Sequence, residues 1–354
     1  MARRMPFGAR PNLAEPLRTK STDLGKWTSK TQIPLVYSER YNFQFWGIEK
    51  LHPFDSCKFR SIIGRLSDAG LVAKSECVEP VEVPKDVLLD VHEASYLRKL
   101  ERNKLYVVQV VELFPLLFVP NFLVQNKLMV PMRFHVAGTM LAALMAVEKG
   151  WAINLGGGMH HACHNEGMGW CFYSDIYLAV RRVREATAGE IQKVLVIDLD
   201  VHQGNGIARD KMHFQDDDLF ILDMYNSEIF PRDLPAMPSI GTKVSFGCGE
   251  SGETYLPNLR KALQSAREAF EPDMVFFNAG TDVLEGDPLG RVCLSSRDVV
   301  ERDEIVFGFA KELDVPICMV LSGGYLRTSA EVISNSITNL IKTYGLIGGG
   351  ENVG

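Results

Sequence analysis

Asp198, Asp200 and His202 occupy alternate positions in the stretch Lys193-Val-Leu-Val-Ile-Asp198-Leu-Asp200-Val-His202-Gln-Gly-Asn-Gly206. Val194 to Ile197 and Leu199 read as a short buried parallel strand, and alternate residues of a strand share a face. Two carboxylates and an imidazole gathered at a strand end are costly in apolar surroundings unless something compensates them. A divalent metal is the simplest partner, because Asp oxygen and His nitrogen both suit zinc or iron. The plainer reading is an Asp that caps the next loop and a His satisfied by a backbone carbonyl.

Other strand ends weigh for the metal. After Ile153-Asn154-Leu155 come Gly156-Gly-Gly-Met159-His160-His161; after Val275 to Asn278 come Ala279-Gly280-Thr281-Asp282; after Met319-Val320-Leu321 come Ser322-Gly323-Gly324-Tyr325. Ligands of open parallel sheets bind beyond the carboxyl ends of the strands. Turn chemistry explains any one of these ends, but not all of them together. The reaction they suit is metal-assisted hydrolysis. Asp200, His202 and Asp282 would be three ligands, leaving a position for water and substrate. His160 would act as general base and His161 as its electrostatic or acid partner. Asp198 would orient His160 and raise its basicity. Tyr325, on a glycine turn, would donate its hydroxyl to a developing oxyanion.

These residues need a sheet to hold them, and the pattern supplies one. Strands are expected at 33–37, 152–155, 194–200, 219–224, 274–278 and 317–321. Helices are expected at 59–66, 94–102, 137–149, 175–186, 256–270, 298–313 and 330–344. Near-continuous apolar strands alternating with helices imply an α/β fold: a three-layer, doubly wound, mostly parallel sheet covered on both faces. No Ser/Gly/Pro-rich linker divides residues 31–344, so a single catalytic domain is expected there. Residues 1–30 carry seven Lys/Arg against two acids and are expected to form a flexible basic extension, with an organellar transit peptide as the alternative. Residues 345–354 are expected to be a flexible tail.

Composition narrows the function. A net charge of −6 argues against a general grip on nucleic acid. The most apolar stretch, 105–130, is broken by Gln109, Glu112, Pro115, Pro120, Asn126 and Lys127, so no membrane span is expected. The seven cysteines include no C-x-x-C pair, which excludes a cysteine zinc cluster and points to reduced, packed thiols.

The motifs G-G-G-x-H-H, D-L-D-x-H-x-G, N-A-G-x-D-x-x-x-G-D-x-x-G and S-G-G-Y, in that order over residues 34–344, resemble the zinc-dependent histone deacetylase superfamily with the arginase/deacetylase fold. Tyr37-Ser-Glu-Arg-Tyr-Asn42, Glu49-Lys-Leu-His-Pro-Phe-Asp55, Pro120-Asn-Phe-Leu-Val-Gln125 and Asp282-Val-Leu-Glu-Gly286 are similar to its class IV, histone deacetylase eleven-like, branch. The resemblance implies removal of acyl groups from lysine side chains of histone or other proteins. It also implies chromatin and transcription regulation, corepressor-type partners and a nuclear or cytoplasmic location. It places Gly169, Trp170, Phe230 and Leu289 along an acyl-lysine tunnel, Lys58 near the tunnel's foot, and a monovalent cation such as K+ beside Asp198. One Zn2+ per chain is expected; Fe2+ accepts the same donors.

Three departures from relatives bear on chemistry. Asn205 stands where some have an aspartate behind the second histidine, so His161 should be less basic. No acid around 119–124 matches the loop acid that grips substrate backbone in class I. Asp223 replaces a Ser near the monovalent site. Class IV relatives are associated with long fatty-acyl groups, which the apolar stretch 113–124 would suit. Other readings are a deacylase of acylated polyamines, a catalytically inactive acyl-lysine reader or scaffold, and an arginase-type enzyme. The last lacks its extra carboxylates here, since Gly204 and Gly280 stand near the ligand motifs.

Overall fold

A computed structural model describes residues 7–21, 23–27, 32–44 and 46–347. Seven strands form one sheet: β1 (Leu35–Val36), β2 (Trp151–Asn154), β3 (Val194–Asp198), β4 (Leu219–Asn226), β5 (Thr242–Phe246), β6 (Met274–Asn278) and β7 (Ile317–Val320). Their order is β1-β2-β7-β6-β3-β4-β5, and every pairing is parallel. The expected doubly wound architecture is thus present.

The strands are apolar on both faces because both faces are covered. Val194 and Val196 of β3 enter one core with helices Val130–Lys149 and Asp175–Ala186. Leu195 and Ile197 enter the other, with helices Lys58–Asp68, Gly252–Ala269, Ser296–Leu313 and Ser329–Tyr344. The same alternation holds in β6, where Met274 and Phe276 face one core and Val275 and Phe277 the other. The site-bearing strands β2, β7, β6 and β3 are consecutive neighbours. Their last residues lie in one row: Asn154 opposite Val320, Val320 opposite Asn278, Asn278 opposite Asp198. Register alone therefore brings the four chemistry-bearing turns to one edge.

Several elements differ from expectation. β5 lacks a clean apolar run because it is an edge strand with alternately exposed residues. Helix Asn205–Phe214 follows the Asp/His turn directly, where glycine-rich sequence masks its start. The helix expected at 137–149 begins much earlier and runs on from Asn121–Val124 through a π-turn at Gln125–Met129. Pro131 accounts for the π-turn: it has no N–H to donate to the preceding turn, so the backbone widens there. The continuous run 121–149 is long and apolar enough to cross a membrane, yet 83% of its apolar window is buried. It is the central core helix of one layer.

The flexible extension expected over 1–30 does not hold where those residues are described. A helix spans Ala14–Lys20 and packs on helices Val130–Lys149 and Asp175–Ala186. Leu17 and Leu24 are fully buried, and Phe7, Leu13 and Trp27 nearly so. The basic residues have a local reason. Glu148 is buried in the core helix, and Arg18 compensates it with two hydrogen bonds of 3.1 and 2.5 Å while the Trp27 indole donates at 2.9 Å. At the other end, Leu346 and Ile347 pack against the second core. The remaining residues of both expected segments, 1–6, 22, 28–30 and 348–354, lie outside the described residues.

A docked segment predicts a measurable penalty. Leu17→Ala should lower unfolding free energy by about 2–5 kcal/mol in denaturant titration, the range for a buried leucine. A change near zero would mean that the segment is not part of the folded unit.

Candidate active site

The carboxyl edge of the sheet holds the predicted constellation. One ligand atom each from Asp200, His202 and Asp282 lies within 4.8 Å of the others, and all three residues are buried. Imidazole Nδ1 of His202 lies 3.1 Å from Asp200 Oδ1 and 3.1 Å from Asp282 Oδ2. Backbone amides aim the carboxylates: Gly323 donates to Asp200 Oδ2 at 2.9 Å and Val201 to Asp282 Oδ1 at 3.0 Å. Gly323 must be glycine, because a Cβ there would sit 2.1 Å from Asp282 Oδ2 and 2.6 Å from Asp200 Oδ2. The donor set therefore suits a borderline divalent cation such as zinc or ferrous iron. Burial and the Asp200 charge push the Asp282 carboxyl up to about 7, which expresses the repulsion a cation would relieve. In the same cluster burial works against His202, but hydrogen bonds to Asp200 and Asp282 outweigh it and lift the imidazole to about 10.

The two adjacent histidines differ in their backing. His160 Nδ1 lies 2.9 Å from Asp198 Oδ2, and its Nε2 lies 3.5 Å from Asp200 Oδ1. Burial alone would lower its pKa, but Asp198 and Asp200 outweigh it and raise the group to about 9. His161 Nδ1 lies 2.8 Å from Asn205 Oδ1. Asn205 cannot turn over, because its Nδ2 donates to the Asp233 carboxylate at 3.1 Å. Asp233 is held in turn by Arg209. An amide oxygen facing His161 requires a proton on Nδ1, leaving Nε2 as a lone pair. Burial, the positive charge on His160 and His202 hold His161 well below the usual imidazole range. The hydrogen bond from Asn205 works the other way and raises the group, but it does not outweigh burial and the two neighbouring imidazoles.

Asp198 does more than orient His160. Its Oδ1 also accepts from Asn278 Nδ2 at 2.8 Å and from the Asp200 amide at 3.2 Å, which turns the chain at the end of β3. Asp223 faces it across the strands, fully buried, with Oδ2 accepting from Gly204 at 2.9 Å and Oδ1 without a partner among the described residues. Burial and Asp198 raise the Asp223 carboxyl well above the usual carboxylate range.

Two cavities border this centre and share His161, Gly169, Trp170 and Tyr325 in their linings. The outer one, about 400 Å³, is lined by Gly169, Trp170, Phe230 and Leu289, with His161, His202 and Tyr325 at its base. All four residues assigned to the tunnel therefore line one cavity. Gly169, with φ +53, is wedged between His161 and Phe230; a Cβ would lie 2.8 Å from the His161 ring. The inner cavity, about 60 Å³, reaches back from His160, His161 and Tyr325 to Phe54, Phe59, Met132 and His135. Tyr325 borders both. Burial and the Asp282 and Asp200 charges hold its hydroxyl well above its ordinary pKa, so it stays a donor. Its backbone amide donates to Asp287 Oδ2 at 2.9 Å.

Other residues support these turns, and all but Lys58 escape the sequence reading. Asp175 accepts from the Gly158 and Met159 amides at 2.9 and 2.8 Å and so shapes the turn before the histidine pair. Arg302, wholly buried, donates to the Leu199 and Gly280 carbonyls beneath the ligand turns. Lys58, which the resemblance places near the tunnel's foot, donates to the carbonyls of Ser322 and Gly323 at 2.6 and 3.1 Å and steadies the tyrosine turn. Glu112, outside the 119–124 stretch, lines the outer cavity with Glu228, Arg232 and Arg291. A helix N-cap position before an apolar run, as at Ser174-Asp175, was the one local signal available for any of these.

Comparison with known proteins shows the family. Residues 52–341 match the family model described as histone deacetylase domain. The chain is 44% identical over 314 residues to histone deacetylase 2 of Arabidopsis thaliana, covering 88% of this chain and 79% of that one. It is 30% identical over 311 residues to an uncharacterized protein of Picosynechococcus, covering 85% and 95%. Among solved structures, the HDA15 HD domain superposes with a TM-score of 0.68 at 21% identity, covering 89% of each chain. An HDAC homolog complexed with SAHA gives 0.68 at 20% identity, covering 87% and 83%. The chain belongs to the histone deacetylase family of amide hydrolases.

Proposed function

We propose that this hydrolase is a zinc-dependent protein-lysine deacylase of the class IV branch. One observation carries the reading: three metal-type ligands cluster beside an imidazole with a free Nε2 and a phenol, and that imidazole and phenol border both cavities. The class IV placement rests on the motifs around Tyr37, Glu49, Pro120 and Asp282. When bound, a divalent ion supplies a Lewis acid for the acyl carbonyl and lowers the pKa of a water to about 7. Ferrous iron would accept the same donors, and a monovalent cation beside Asp198 belongs to the same proposal.

The acyl-lysine stem would pass between Trp170 and Phe230, whose apolar walls exclude water. His161 Nε2 takes the proton of the attacking water and returns it to the departing lysine amine. Sequence reasoning gave the base to His160, but Asp198 and Asp200 favour a charged His160, better suited to stabilise negative charge. Tyr325 donates its hydroxyl to the oxyanion. A polyamine substrate fits less well, because Glu112 and Glu228 at the mouth are balanced by Arg232 and Arg291. An inactive reader would have no use for the full set of ligands and donors.

Chain length has two supports that point apart. The inner cavity of about 60 Å³ holds a few waters and suits a short acyl group. Long fatty-acyl chains, the expectation from class IV, draw support from Phe114, Phe118 and Phe122, which are 63%, 91% and 69% exposed. A kcat/KM series from acetyl- to myristoyl-lysine peptides, with acetylated polyamine alongside, tests the reading. Peptide turnover should exceed polyamine turnover at every chain length, and the reverse order would remove the protein-lysine assignment. In the same assay Tyr325→Phe should keep its metal and lose about 10²–10³ in kcat; wild-type turnover would remove the oxyanion role.

A pH profile tests the base. Neutral His161 is the active form and its pKa is depressed, so the acid limb of kcat/KM should lie below about 6.5, the ordinary imidazole value. Asn205→Asp places a carboxylate against Nδ1, favours the imidazolium and should shift that limb upward. An unmoved limb in a variant with normal metal content would assign the base elsewhere.

A further inference from the structure

A second group of ligating side chains lies behind the histidine pair. Cys163, His164 and Asp210 each bring one ligand atom within 4.8 Å of the other two. Cys163 and His164 follow His161 in the same turn, and Asp210 comes from helix Asn205–Phe214, the helix that also supplies Asn205 to His161. Cys163 is 2% exposed, His164 9% and Asp210 0%. Asp210 Oδ1 accepts from the His164 amide at 2.7 Å and lies 3.0 Å from its Nδ1. Asp210 Oδ2 has no hydrogen-bond partner among the described residues, although it is buried. A buried carboxylate oxygen without a donor is costly, and its neighbours here are a thiol and an imidazole.

We propose that Cys163, His164 and Asp210 form a second metal site, separate from the catalytic one, for a zinc-class divalent cation. Thiolate, imidazole and carboxylate together are zinc donors, whereas calcium and magnesium favour oxygen alone. At zinc bond lengths the ligand atoms of a tetrahedral site lie about 3.5 Å apart, and since these atoms all lie within 4.8 Å of one another, closing the site asks for at most about 1 Å of side-chain movement. Binding would displace the thiol proton of Cys163 to solvent and fill the orphaned side of Asp210. The fourth position is open to water. His213 stacks on the His164 ring at 3.7 Å, and its exposed imidazole stands over the approach. The nearby charges are Glu166 and Arg209, the latter already paired with Asp233. An ion here would pin the histidine turn to the helix that holds Asn205.

Cobalt distinguishes the two sites, because the catalytic set has no thiolate. Full-length protein stripped of metal and reloaded with Co2+ should bind two equivalents and show a thiolate-to-cobalt charge-transfer band in the near ultraviolet. Cys163→Ser should lose the band and one equivalent. The band should persist in Cys171→Ser, the other thiol near His161, and in Asp282→Ala, whose catalytic site is broken. Wild-type protein that binds one equivalent without the band would overturn the proposal and leave Asp210 Oδ2 to an ordered water. A band that survives Cys163→Ser would overturn it as well. The wild-type measurement decides the matter even if a variant fails to fold.

Discussion

Two buried carboxylates that approach one another need a cation between them, and much of this fold serves that need. Asp200 follows β3 and Asp282 follows β6, neighbouring strands whose ends are in register. His202 Nδ1 completes the triangle. Repulsion between the acids, already visible in the raised Asp282 carboxyl, would open the edge if nothing held it. The restraint comes from behind. Arg302 ties the carbonyls of Leu199 and Gly280 together, and amides of Val201 and Gly323 aim the oxygens. Glycine at 323 lets the tyrosine turn close over the acids. The arrangement is preorganised for positive charge, the usual basis of electrostatic catalysis.

Within that frame, two neighbouring histidines acquire opposite characters. One backing carboxylate, Asp198, makes His160 the charged partner. One backing amide, Asn205, keeps His161 neutral with its free nitrogen toward the cavity. The carboxylate has not vanished from the second pair. Asp233 sits one residue farther back, bonded to Asn205 and shared with Arg209. An acid placed at that remove fixes the amide's orientation without stabilising an imidazolium. Environments that separate two like groups assign them to different tasks.

Much of this was legible in the residues themselves. Asp198, Asp200 and His202 announce the ligand turn through strand alternation, and glycine-rich turns after β2, β6 and β7 mark the other contributors. The parallel sheet follows from apolar strands alternating with helices. Less legible were features whose logic is tertiary. The N-terminal basic residues look like a tail until Glu148 is seen buried beneath Arg18. The long central helix is hidden by Pro131, which a π-turn accommodates. β5 carries no apolar run because an edge strand need not. Asp175, Asp233 and Arg302 act through backbone and side-chain partners far away in sequence, and of the three only Asp175, at a helix start, carries a local mark.

The central claim is that Asp200, His202 and Asp282 together hold one catalytic divalent ion. Metal content per chain, measured by elemental mass spectrometry beside turnover of an acyl-lysine peptide, tests it for wild type and Asp282→Ala. The variant should carry one equivalent less than wild type and have lost its turnover. Equal metal content with undiminished turnover would contradict the account.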